Sequence, residues 1–171
     1  IADALKEEFP EASFLFVGAN HKMEMVKVPQ AGYAIEGLSI TGLDRKLSLR
    51  NLWLPFRLWS SIQKAFEILD RAKPDVVIGT GGYASAPLLY AASRRGIPYV
   101  LQEQNAYAGL VNKLLGPKAK VVCVAYEGME RYFKNTRVAL TGNPVRPNLA
   151  KLQVTREEAA AYFNLDPNRK V

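Results

Sequence analysis

Asp75-Val-Val-Ile78, then Gly79-Thr-Gly-Gly-Tyr83, then a helical stretch, Tyr99-Val-Leu101 and Gln102-Glu-Gln-Asn105 decide how this chain folds. The order reads as strand, glycine loop, helix, strand, polar loop. Two buried strands joined by a helix are parallel, and loops at the carboxyl ends of parallel strands open onto one crevice. The helix is predicted from Ser85 to Arg95, with Pro87 near its first turn, Gly96 as its stop, and Arg94 and Arg95 favourably placed at its carboxyl end.

The alternation continues on both sides. Toward the carboxyl end, Lys120 to Val124 reads as a strand, Tyr126 to Phe133 as a short helix and Arg137 to Leu140 as the last strand. Thr141-Gly-Asn-Pro-Val-Arg-Pro147 has the glycine and prolines of a linker, and Thr155 caps a further helix from Arg156 to Asn164. Toward the amino end, Ile1 to Phe9 reads as a helix and Ser13 to Val17 as a strand turning at Gly18-Ala19-Asn20. A short helix through Met23, Met25 and Val26 stops before Pro29, with its methionines as core filler, and Ala34 to Ile40 is a strand. The fold class is α/β, a Rossmann-like doubly wound parallel sheet with Asp75 to Ile78 as its central strand. An opening helix without its own strand leads us to expect a β-loop-α start before Ile1.

One helix departs from simple amphipathicity. It is predicted from Ser48 to the Lys73-Pro74 break. At about 100° per residue, Leu58, Ile62, Ala65 and Leu69 share the core side, while Leu49, Leu52, Trp53 and Phe56 fall nearly opposite. That outer face turns polar further along at Ser60, Gln63, Glu67 and Arg71, so the first half carries two apolar faces and one of them should be exposed. Lys46, Arg50, Arg57 and Lys64 align beside it. An apolar wedge edged with cations suits the interface of an anionic membrane; a contact with a further domain or a second subunit would also cover it.

The 171 residues, 49% hydrophobic, suffice for one well-cored domain and the start of another. A net charge of +7 and a pI near 9.5 favour an anionic partner: nucleic acid, a membrane surface or a phosphorylated substrate. Nucleic acid is disfavoured, because aliphatic side chains interleave the cationic stripe and no zinc-finger, RNP or helix-turn-helix pattern accompanies it. No apolar run approaches the roughly 18 residues of a membrane span. The single Cys123 lies in an apolar strand and reads as a small core residue, and the single His21 as a surface residue at a helix start. One His, one Cys and scattered carboxylates do not make a metal-ligand spacing.

The polar loops carry the chemistry. Glycines at positions 79, 81 and 82 let backbone approach a ligand, and the amides of the helix that follows favour an anion such as a diphosphate; tight packing of helix on strand would also select them. The third glycine of a dinucleotide fingerprint is absent, since Ser85 and Ala86 follow, as is the Lys-Ser/Thr of a P-loop. Glu103 could take a proton or bind sugar hydroxyls, and Asn105 offers both a donor and an acceptor; equally, either could cap the helix beginning near Ala108.

In order, Gly79-Thr-Gly-Gly-Tyr-Ala-Ser85, Gly96-Ile-Pro-Tyr-Val-Leu-Gln-Glu-Gln-Asn105, Ala108-Gly-Leu-Val-Asn-Lys113 and Thr141-Gly-Asn-Pro-Val-Arg146 resemble the N-terminal half of the MurG family. The likeness runs over nearly the whole chain. It implies a GT-B architecture and an inverting transfer of GlcNAc from UDP-GlcNAc to undecaprenyl-diphospho-muramoyl-pentapeptide, with no tightly bound cofactor. It also implies peripheral attachment to the cytoplasmic face of the bacterial inner membrane, with roles in peptidoglycan synthesis. Residues 1–146 would be the acceptor- and membrane-binding domain, and 147–171 a linker and the start of the donor-binding domain. Gly81, Gly82, Tyr83 and Asn112 would serve the acceptor diphosphate, Asn105 and Arg146 the UDP-GlcNAc, and Glu103 would be the candidate base. Leu49, Leu52, Trp53 and Phe56, with Lys46, Arg50 and Arg57, would meet the membrane. The family's first glycine loop with its histidine would precede Ile1, its C-terminal glycine loop and uracil pocket would follow Val171, and Gln102 stands where many members carry His. The fragment alone is therefore expected not to turn over substrate.

Overall fold

A computed structural model of the chain describes residues 1–40, 54–145 and 154–166. Lys46, Leu49, Arg50, Leu52, Trp53 and Arg146, the start of the long helix from Ser48, and the linker beyond Val145 lie outside the described residues. In chain order the elements are α1 (Ala2–Glu8), β1 (Leu15–Ala19), α2 (Glu24–Gln30), β2 (Ala34–Leu38), α3 (Leu54–Ala72), β3 (Val77–Gly79), α4 (Ser85–Arg95), β4 (Tyr99–Glu103), α5 (Leu110–Leu115), β5 (Val121–Val124), β6 (Val138–Leu140) and α6 (Arg156–Tyr162). Among the described residues every strand pairing is parallel, as short buried strands joined by helical crossovers require. Among the described residues the strands form two groups, β1-β2 and β3-β4-β5-β6. β3, expected at the centre, therefore pairs with β4 alone, and Ile78 on it is 36% exposed.

Helix α3 joins the two groups. Ala65 and Leu69 enter a core with Val77, Leu89, Tyr99, Leu101, Val122, Val124, Met129 and Phe133, while Ile68 joins a smaller one with Ala19, Leu38, Ile40 and Ala84. The buried stripe thus starts at Ser61 rather than at Leu58, which is 40% exposed. Ser60, Gln63, Glu67 and Arg71 face solvent as their polarity dictates. α4 spans Ser85 to Arg95 as predicted and stops at Gly96, whose φ of +71° suits glycine. Arg95 does more than meet the helix dipole. Its guanidinium donates to both oxygens of Asp70 at 2.8 and 2.6 Å and lies 4.6 Å from the Phe66 ring, clamping α4 to α3.

Several boundaries move for steric or hydrogen-bonding reasons. β1 begins at Leu15 and includes Gly18 and Ala19, because glycine is what the pairing allows: Gly18 sits opposite Gly37, and a Cβ on Gly37 would lie 1.8 Å from Asn20 Oδ1. α2 continues through Pro29 to Gln30; near the end of so short a helix a proline removes little bonding. Met25 has its methyl 3.2 Å from the position a Gly37 Cβ would take, but Met23 is 74% exposed and fills no core. The helix expected from Tyr126 to Phe133 is a single 3-10 turn, Met129–Tyr132, after Gly128 in a left-handed conformation. α6 ends at Tyr162 and begins with a capping box, Thr155 Oγ1 accepting from Glu158 N while the Glu158 carboxylate accepts from Thr155 N. Cys123 is half-buried, and His21, at φ +61°, sits exposed in the turn after β1.

β4 gives the most consequential shift. It runs through Gln102 and Glu103, expected as loop, which pair in register with Cys123 and Val124 and are 6% and 1% exposed. Polar side chains persist at a strand end only when their hydrogen bonds are made.

Candidate functional site

The carboxyl ends of β3, β4 and β6 carry the glycine loop, the Gln104–Gly109 loop and the approach to the linker. Gly81 and Gly82 adopt φ of +88° and +82°, which L side chains rarely take. Apart from its chain neighbours, no atom of the described residues lies within 4 Å of a would-be Gly82 Cβ, so conformation rather than crowding selects that glycine. Gly79 answers to crowding: its Cβ would lie 2.7 Å from Leu89 Cδ1, so here the glycine lets α4 lie close on β3. The Ser85 hydroxyl donates to the Gly81 carbonyl and closes the loop onto the start of α4. Among the described residues no side chain caps α4, so the amides of its first turn, Pro87 having none, can face an anion. Tyr83 is 55% exposed beside them.

Side-chain amides knit these loops together. Gln104 Nε2 donates to the Thr80 carbonyl at 2.8 Å, Gln102 Nε2 to the Gly142 carbonyl at 3.2 Å, and Asn143 Nδ2 to the Gln104 carbonyl at 3.4 Å. The structure thus brings the glycine loop, Glu103, Asn105 and the segment leading to Arg146 to one edge of the sheet.

Glu103 is the centre of its loop. Oε1 accepts from the backbone N and the side-chain Nδ2 of Asn105, both at 3.0 Å; Oε2 accepts from Gly109 N at 2.8 Å and Asn112 Nδ2 at 2.9 Å. Burial pushes the carboxyl up. The amides of Gly109 and Asn105 and the carboxamides of Asn112 and Asn105 outweigh that and hold it below the ordinary value. Gly109 is the N-cap of α5, so the capping alternative for Glu103 describes part of what is observed. Asn112, grouped from sequence with the diphosphate loop, is 3% exposed with Nδ2 donating to Glu103, and its Oδ1 is buried without a donor among the described residues.

Sequence reasoning missed the outer surface of α5. The helix packs Leu115 on the core and buries polar Asn112, yet leaves Leu110 and Leu114 outside at 71% and 69% exposure. Their i, i+4 spacing around a polar residue was the available signal. Lys113 Nζ lies 3.8 Å from the Tyr107 ring centroid and 4.8 Å from that of Tyr132, and the two rings meet edge to face at 5.2 Å. The hydrogen-bonded Lys113 ammonium also draws the exposed Tyr107 phenol below its usual pKa. On α3, Phe56 and Arg57 are exposed, and so is Trp59 at 65%, which the wedge read from sequence left out. Among the described residues no group of three His, Cys, Asp or Glu gathers as metal ligands, and no helix is long and apolar enough to cross a membrane.

Comparison with known proteins adds three findings. The family model for the glycosyltransferase family 28 N-terminal domain matches residues 1–124. The UDP-N-acetylglucosamine--N-acetylmuramyl-(pentapeptide) pyrophosphoryl-undecaprenol N-acetylglucosamine transferases of Flavobacterium psychrophilum and Phocaeicola vulgatus are 56% and 52% identical over 99% of this chain, which covers 46% and 45% of their lengths. The crystal structure of Acinetobacter baumannii MurG superposes with a TM-score of 0.67 at 30% identity, over 85% of this chain and 40% of that one. The chain spans just under half the length of the curated relatives it matches.

Proposed function

This chain belongs to glycosyltransferase family 28 through its N-terminal domain, and on that premise we propose that it is the acceptor side of an inverting hexosyltransferase moving GlcNAc from UDP-GlcNAc to undecaprenyl-diphospho-muramoyl-pentapeptide. The observation that carries this reading is the crevice edge, where an open glycine loop ahead of an uncapped helix adjoins a polar loop built on Glu103. Amides at a helix start favour a diphosphate, and backbone without side chains lets it come close. In this reading Gly81, Gly82 and Tyr83 hold the acceptor diphosphate, while Asn105 and Arg146 meet the donor. As the acceptor hydroxyl attacks the anomeric carbon it gives up a proton, and negative charge gathers on the departing UDP, which dipoles and cations at the crevice stabilise.

A lipid-linked acceptor keeps its tail in a bilayer, so the enzyme must work at a membrane surface, here the cytoplasmic face of the inner membrane. Exposed Phe56, Trp59, Leu110 and Leu114 near Arg57 and Lys113 support this, being apolar groups interleaved with cations. The same observation favours a second reading, a non-catalytic module that binds anionic lipid. Full-length polypeptide given radiolabelled UDP-GlcNAc and the acceptor lipid in vesicles separates the two. Label passing into the lipid fraction supports the transferase, whereas vesicle binding without label in the lipid leaves only the module.

A further inference from the structure

The Glu103 carboxylate is saturated by its own loop. A carboxylate has about four acceptor sites, and four N–H groups reach this one, two on each oxygen at 2.8 to 3.0 Å. The residue is 1% exposed, so no lone pair is left to receive a proton from a substrate hydroxyl. An ionised carboxylate accepts only, which dictates the orientation of both carboxamides beside it: each must turn its Nδ2 inward. For buried Asn112 this leaves Oδ1 without a donor among the described residues, the unfavourable side of the same arrangement. For exposed Asn105, the backbone N and one N–H of Nδ2 are given to Glu103, which fixes the carboxamide plane and leaves Oδ1 as its acceptor beside the second N–H.

We propose that Glu103 is a positioning residue that locks the Gln104–Gly109 loop and turns the Asn105 carboxamide oxygen outward as an acceptor for a sugar hydroxyl or N–H. This replaces the general-base reading of Glu103. It rests on the transferase reading for the identity of the sugar, and on the hydrogen-bond geometry alone for the lock.

The test uses full-length polypeptide. Glu103→Gln keeps the shape but sets an NH2 among donors, so the KM for UDP-GlcNAc should rise at least tenfold while the acidic limb of the kcat–pH profile stays where it is. Asn105→Ala should show a similar rise, and the double variant no more than the larger single effect, because both remove one arrangement. An unchanged KM, with kcat down a hundredfold or more and the acidic limb gone, would mark Glu103 as the base and overturn the proposal; so would effects that multiply in the double variant. If Glu103→Gln does not fold, hydrogen exchange in the wild type decides: the Asn105 and Gly109 amides should exchange at least tenfold slower at pH 7 than unstructured amides, and unprotected amides refute the lock. If wild-type protein transfers no GlcNAc, the functional reading falls while the exchange result still judges Glu103.

Discussion

Gln104 donates its side-chain amide to the carbonyl of Thr80 at 2.8 Å, so the residue after β4 holds the glycine loop after β3. Its own carbonyl accepts from Asn143 on the approach to the linker. One residue therefore ties the glycine loop after β3 to the segment that follows β6. Gln104→Ala removes the first tie. A neutral hydrogen bond is worth about 1 kcal/mol, so the KM for the acceptor lipid should rise roughly fivefold with little change in thermal stability. Steady-state kinetics of the full-length polypeptide check this; an unchanged acceptor KM would free the loop from Gln104.

Gly79 and Gly82 should respond to alanine for different reasons. At Gly79 the new methyl meets Leu89, and overpacking there should cost about 1–3 kcal/mol. At Gly82 the space is open, but a φ of +82° should cost roughly 1–2 kcal/mol or shift the loop. Urea unfolding measures both, and acceptor KM separates them: Gly82→Ala should raise it, while Gly79→Ala should act on stability first. Equal effects on both readouts would contradict the distinction.

Glu103 should make stability depend on pH. Its carboxyl is held below the ordinary value in the folded chain, so the folded state favours the ionised form. That contribution is fully present above the unfolded pKa of about 4.3 and is lost as pH falls through the lower folded value. Urea midpoints of wild type and Glu103→Gln should therefore lie furthest apart at neutral pH and converge in acid. Parallel curves down to pH 3 would show that Glu103 contributes no linkage.

Much of this was legible in the sequence because it is local. The bounds of α4 follow from Ser85 and Gly96, the start of α6 from its cap Thr155, and the parallel alternation from short apolar runs between helices. Of the hydrogen bonding of Glu103 only the helix cap was legible, since its donors come from two, six and nine residues away and no periodicity encodes a carboxylate encircled by its own loop. Nor was the extension of β4, because consecutive polar residues read as loop until their partners are seen. Leu58 shows the converse error. Helical phase placed it on the core stripe, but phase does not say whether anything lies beyond that turn to bury it.

The exposed apolar residues should control vesicle binding. Phe56→Ser with Trp59→Ser removes two large side chains that are 69% and 65% exposed. Burying such a side chain is worth about 1.5–3 kcal/mol, so co-sedimentation with anionic vesicles should weaken more than tenfold. Leu110→Ser with Leu114→Ser tests the α5 surface in the same way. Unchanged binding in both pairs would remove the membrane surface from the account.

The most direct measurement is the anomeric configuration of the product. Full-length polypeptide incubated with UDP-GlcNAc, in which the sugar is α-linked, and undecaprenyl-diphospho-muramoyl-pentapeptide should yield a lipid-linked disaccharide whose new bond is β, read from the proton coupling at the GlcNAc anomeric carbon. No lipid-linked disaccharide, or one with an α bond, would contradict an inverting transfer at this crevice.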